Sequence, residues 1–134
     1  MAGPTEESVS VSLTSVTAGS TYAMFYTGTK QFIEAKKLYL KPGVWTSDNA
    51  RFSAYVWNGS KNIWVDMKKI DNTYYGTYIP KSYNNVIFGR MNPSTSDNNF
   101  NSGVLWNQTD NLTYNSSKTC FQINGWSYGE WITK

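Results

Sequence analysis

One hundred and thirty-four residues suffice for one compact domain with a single core and are too few for two. Hydrophobic residues make up 40% and charged residues 16% of the chain, and twelve basic against nine acidic side chains leave a formal +3 spread along it; a disordered composition is excluded and a polyanion partner is disfavoured. With no His and a single Cys, an internal disulfide, a His/Cys metal centre and imidazole acid–base chemistry are excluded too.

The opening, MAGPTEES, has no apolar stretch of a signal peptide, and residues 1–7 read as a tail. Residues 8–134 read as one domain, taken as a module of a longer exported protein. No stretch is long and apolar enough to be expected to span a membrane. Short alternating runs predict strands over Ser8–Leu13, Thr21–Tyr26, Lys37–Lys41, Arg51–Trp57, Asn62–Lys68, Tyr74–Ile79, Asn85–Arg90, Asn111–Tyr114, Thr119–Ile123 and Gly129–Ile132. Between them fall turn residues such as Pro42-Gly43, Asn58-Gly59, Asp71-Asn72 and Asn124-Gly125. That spacing predicts an all-β sandwich or barrel. Met91 to Asn107 carries no strand signal and reads as one long loop, functional or mobile. Cys120 reads as a small buried residue.

Aromatic residues are 16% of the chain, with 6 Trp and 10 Tyr, more than a core of this size readily encloses, so some rings belong on the surface. ARFSAYVWNGSKNIWVDM, Ala50 to Met67, reads as two strands around Asn58-Gly59. Phe52, Ala54 and Val56 alternate with Ser53, Tyr55 and Trp57, while Ile63, Val65 and Met67 alternate with Asn62, Trp64 and Asp66. The purely apolar sets must face the core, which leaves Tyr55, Trp57 and Trp64 on the other face. If Trp57 pairs with Asn62, Tyr55 lies opposite Trp64; a tighter turn moves Trp64 opposite Ser53, and a three-residue loop would turn it inward. Rigid rings of this kind stack on the C–H faces of sugars at little cost in conformational entropy. The competing expectation is that they pack beneath the loop from Met91 to Asn107.

The runs LYLKPGVW, ARFSAYVWN, WVDM, YYGTYIP, VIFGRMNPSTSDNN and WNQTDNLT resemble the starch-binding carbohydrate-binding modules of family 26, with family 25 as the nearest relative. The resemblance covers Lys37 to Tyr114. It implies a small β-sandwich of short antiparallel strands that is not an enzyme and needs no cofactor. It also implies binding of starch, amylose, amylopectin and maltooligosaccharides on Tyr55, Trp57 and Trp64. Such modules belong to larger extracellular or cell-surface proteins of bacteria, so a monomeric module with no nucleic-acid or membrane partner is expected. Lys61 lies in the hairpin turn, and Asn107 and Gln108 match the polar rim of the family's site; all three are expected to bind the ligand. The first 36 residues have no counterpart in the family, and the C-terminal GWSYGEW holds further aromatics that are either a second surface or core.

Two other classes compete. A glycosidase needs a pair of carboxylates flanking one bond, whereas Asp48, Asp66, Asp71, Asp97, Asp110, Glu34 and Glu130 mostly fall in turns and form no recognisable pair. A single-stranded nucleic-acid binder would use the same aromatic platform beside a basic stripe, but only Lys36-Lys37 and Lys68-Lys69 are adjacent basic pairs.

Overall fold

Alternation with period two decides which residues meet in the interior. Leu38 and Leu40 are fully enclosed while Lys37 between β-neighbours is exposed, and Phe52, Ala54 and Val56 repeat the pattern one sheet away. The computed structural model describes residues 19–26 and 29–134, so the expected tail and the strand expected over Ser8–Leu13 lie outside the described residues. The strands are β1 (Tyr22–Tyr26), β2 (Lys30–Lys41), β3 (Arg51–Asn58), β4 (Lys61–Asp66), β5 (Lys68–Lys69), β6 (Tyr75–Pro80), β7 (Asn85–Met91), β8 (Leu105–Gln108), β9 (Leu112–Thr113), β10 (Cys120–Ile123) and β11 (Gly129–Ile132).

They form two sheets, and the fold is an all-β sandwich. One sheet runs β11-β10-β2-β6-β5, with β1 also on β2; the other runs β4-β3-β7-β8, with β9 also on β7. All pairings are antiparallel except that of β10 with β2. The chain changes sheets at Met67, whose backbone N–H still donates to Phe52 O at 2.9 Å before Lys68–Lys69 joins the first sheet. This splits the strand expected over Asn62–Lys68.

The two inner faces share one core. Phe88 of the second sheet stacks on Phe121 of the first at 5.5 Å and 15° between planes, and Phe52 meets Tyr75 edge-on at 4.8 Å. Trp45, on a 3-10 segment over Gly43–Asn49 that the sequence pattern did not reveal, is fully buried against Phe52 at 6.4 Å. Burying side chains of this size contributes about 1.5–3 kcal/mol each. Cys120 is fully buried, and burial pushes its thiol up to about 11.

Candidate functional site

Gly59 holds φ at 59° in the two-residue turn, with Ser60, that joins Asn58 to Lys61. A left-handed first central residue is the glycine position of a II′ hairpin turn, whose twist suits the flanking strands. The turn is thus centred one residue beyond Asn58-Gly59. It fixes the pairs Trp57–Asn62, Tyr55–Trp64 and Ser53–Asp66, the first of the two expected registers. Phe52, Ala54, Val56, Ile63 and Met67 are buried, and Val65 packs partly against the core. The opposite face gathers the three rings. Tyr55 lies 5.5 Å from Trp57 and 5.1 Å from Trp64, with interplanar angles of 36° and 56°.

These rings are half-buried rather than fully exposed. The long segment after β7 folds back over the outer face of the second sheet and sets Phe100 against them, 5.1 Å from Tyr55 and 4.8 Å from Trp64. The expectation that the rings pack beneath this loop therefore holds on one flank, and Phe100, itself 47% exposed, extends the aromatic surface.

Arg51 anchors that loop. Its Nε donates to Thr95 O at 2.8 Å, and its Nη1 to Asn98 Oδ1 at 2.7 Å; its Nη2 reaches Thr95 Oγ1 at 3.1 Å and also Asp97 O. Buried Ser53 donates to Asn98 Oδ1 at 2.7 Å, and Asn98 Nδ2 donates to Asp66 Oδ1 at 2.9 Å. Arg51 also faces Asp66 at 3.7 Å. The base of the loop is closed by Asn92 N–H donating to Val104 O at 2.8 Å. A charged, multiply bonded anchor holds a loop more firmly than neutral hydrogen bonds do, and so the position of Phe100 is set from beneath.

The loop has something to cover. Ile87, Met91 and Leu105 are buried on this outer face, around Gly89. A Cβ on Gly89 would stand 2.8 Å from Leu105 Cδ1 and 2.9 Å from Met91 Sδ, so the glycine leaves room for these two side chains to close over the sheet as they do. Leu105–Gln108 is itself a strand, β8, that overlaps the end of the span expected to be one loop, Met91 to Asn107.

The expected polar partners divide. Lys61 shares the alternation of Ile63, so it sits away from the rings, lining a groove of about 1090 Å³ with Phe32, Glu34 and Ser60. Asn107 pairs with Arg90, on the inner-face set of β7, and its Oδ1 accepts from Arg90 Nη1 at 3.0 Å. Gln108 is exposed opposite Gly89, which in turn pairs with Ser53, so it lies on the ring-bearing face with β7 between it and β3. Period-two alternation separates these neighbours in sequence. Trp64 borders a further groove of about 400 Å³ shared with Tyr26, Tyr78 and Asp66, beside β4. Phe100 and Arg51 were missed from sequence; the signal for them was β7, apolar at Val86, Ile87 and Phe88 alike, the mark of a strand covered on both faces.

Among the described residues, no three acidic, His or Cys side chains are gathered as metal ligands. The arrangement is an aromatic surface on a two-sheet sandwich, with Asn62 and Asp66 on the same face of β4 as Trp64. Comparison with known proteins finds no family model, no curated protein and no solved structure that matches the chain.

Proposed function

We propose that this chain is a non-catalytic module that binds starch-type α-1,4-glucan by stacking glucose rings on Tyr55, Trp57 and Trp64, and that it holds a larger extracellular or cell-surface protein on starch. The observation that carries this reading is the convergence of the three rings, with Phe100, on one outward face of β3 and β4. Sugar rings present C–H faces to an aromatic face, and rings locked by their neighbours lose little freedom on binding. The tilts of 36° and 56° favour an α-glucan. A β-1,4-glucan is a flat ribbon that wants coplanar rings, whereas an α-1,4-glucan coils and turns successive residues toward differently inclined ones. The resemblance to starch-binding modules of family 26 over Lys37 to Tyr114 supports the same ligand.

A pull-down of the intact chain on insoluble starch, beside cellulose and xylan, tests the proposal. Retention on starch alone is expected, whereas retention on cellulose and not starch refutes it. Stacking contributes about 1–3 kcal/mol per ring by analogy with bases on aromatic side chains, less the cost of ordering the ligand. Binding to short maltooligosaccharides is therefore expected on the order of micromolar to millimolar.

A further inference from the structure

Arg90 is 5% exposed, yet its guanidinium ends beneath an aromatic surface on a different part of the molecule from the rings of β3 and β4. Its Nε donates to Trp45 O at 2.9 Å, and its Nη2 to Ser47 O at 2.8 Å and to Asp48 Oδ2 at 2.9 Å. With Nη1 on Asn107, every nitrogen of the fork is engaged. Two indoles then lie against it. The guanidinium carbon lies 4.9 Å from the centre of the Trp106 ring, on β8, and 5.2 Å from that of Trp126, in the turn between β10 and β11. The two sheets thus each lend a tryptophan to one buried cation, and these distances bound the separation of the ring centres at about 10 Å.

Both indoles keep much of their surface in solvent. Trp106 is 37% and Trp126 51% exposed, and Tyr128, two residues on from Trp126, is 63% exposed. The turn that carries Trp126 and Tyr128 is fixed through its main chain. Trp126 O accepts from Trp45 Nε1 at 3.0 Å, and Asn124 N–H donates to Tyr128 O at 2.9 Å. A Cβ on Gly125 would lie 2.2 Å from the Tyr128 ring, so that ring rests directly on the glycine.

We infer that Trp106 and Trp126, gathered on Arg90, form a second carbohydrate-binding surface. The class of ligand follows from charge as well as shape. The guanidinium is matched by the exposed Asp48 carboxylate, so the surface offers aromatic faces around a compensated ion pair, which suits a neutral polyhydroxylated chain better than an anion or a basic peptide. Only the identity of that chain, α-glucan, rests on the function proposed above. Arg90 pairs with Phe52 on the inner-face set of β7, whereas Tyr55 and Trp57 belong to the outer set of β3, so the two surfaces address separate stretches of polymer. Two such surfaces raise retention on a granule well beyond the affinity of either for a short oligosaccharide.

The test is a titration of the intact chain with maltoheptaose, followed through the indole N–H signals of its six tryptophans and assigned by single Trp→Phe variants. The inference expects the Trp106 and Trp126 signals to move, and to go on moving in Trp64→Ala. Movement of Trp57 and Trp64 with Trp106 and Trp126 fixed overturns the second surface and leaves the proposed function standing. Movement of Trp106 and Trp126 alone supports the second surface and overturns the role of the β3–β4 rings; no movement at all overturns both. Trp106→Ala combined with Trp126→Ala is expected to lower the apparent affinity for granular starch about ten-fold or more. Trp126→Phe, which keeps a ring over the guanidinium, should recover most of it. A double variant that is folded by its chemical-shift dispersion and retained on starch as well as the parent overturns the inference.

Discussion

Replacing Trp64 by Ala separates the stabilising role of the ring from its role in binding. The side chain meets Tyr55 at 5.1 Å and Phe100 at 4.8 Å. Each such pair contributes about 0.5–1.5 kcal/mol beyond its buried area, so the variant should lose about 1–3 kcal/mol. Ordinary domains are stable by about 5–15 kcal/mol, and the variant should stay folded. The melting temperature should fall by roughly 3–15 °C for a domain of this size. Phe100, half exposed and on a loop, can resettle against Tyr55, which favours the lower end of that range. Binding should suffer more in relative terms. A stacked sugar lost at about 1.4 kcal/mol or more costs ten-fold or more in affinity. Melting and retention on insoluble starch, measured on the same preparation together with Trp64→Phe, make the comparison. A folded Trp64→Ala that is retained as well as the parent refutes the reasoning, and a variant that does not fold shows that the ring belongs to the core.

Other outcomes follow from the packing. Val56 is fully buried between the sheets, so Val56→Ala should destabilise by roughly 1–3 kcal/mol through lost burial and a residual cavity, seen as a lower denaturant midpoint at unchanged slope. Arg51→Ala removes the anchor under the loop and should speed amide exchange through residues 92–104 and detach Phe100 from Tyr55; unchanged exchange there would mean that the apolar cover at Met91 and Leu105 holds the loop unaided. Cys120 should resist thiol reagents in the folded chain, since it is enclosed and its pKa is raised from 9.0 to about 11. Because the folded state holds that proton more tightly than the unfolded one, this group's contribution to stability is complete below pH 9 and declines as pH rises toward 11, which an alkaline melting series compared with Cys120→Ala will read.

Much of the hairpin was legible in the sequence, because period two is a strict constraint and a turn near Gly59 leaves few registers. The alternation of Phe52, Ala54 and Val56 against Tyr55 and Trp57 assigned both faces, and only the turn centre moved. Less legible was anything set by another strand. Lys61 and Asn107 are close in sequence to ring-face residues, yet the pleat turns both of them away. The strand β2 begins at Lys30 rather than Lys37 because Gln31–Glu34 find partners in β1, a pairing that the run KQFIEAKK does not announce by alternation. The two exposed indoles around Arg90 come from β8 and the β10–β11 turn, in different sheets, and no local pattern brings them together. GWSYGEW divides in the same way. Trp131 packs at 5.2 Å on Phe121 and 6.1 Å on Phe88, while Trp126 and Tyr128 stay outside.

The central claim is that glucose rings lie on the outward face of β3 and β4, and a crystal structure of the chain with maltotetraose tests it most directly. The account predicts sugar rings within van der Waals contact of Tyr55, Trp57 and Trp64, following the tilt of those side chains, with Phe100 at the border of the bound chain. Sugar found only in the groove lined by Phe32 and Lys61, with the Tyr55–Trp57–Trp64 face empty, would contradict it.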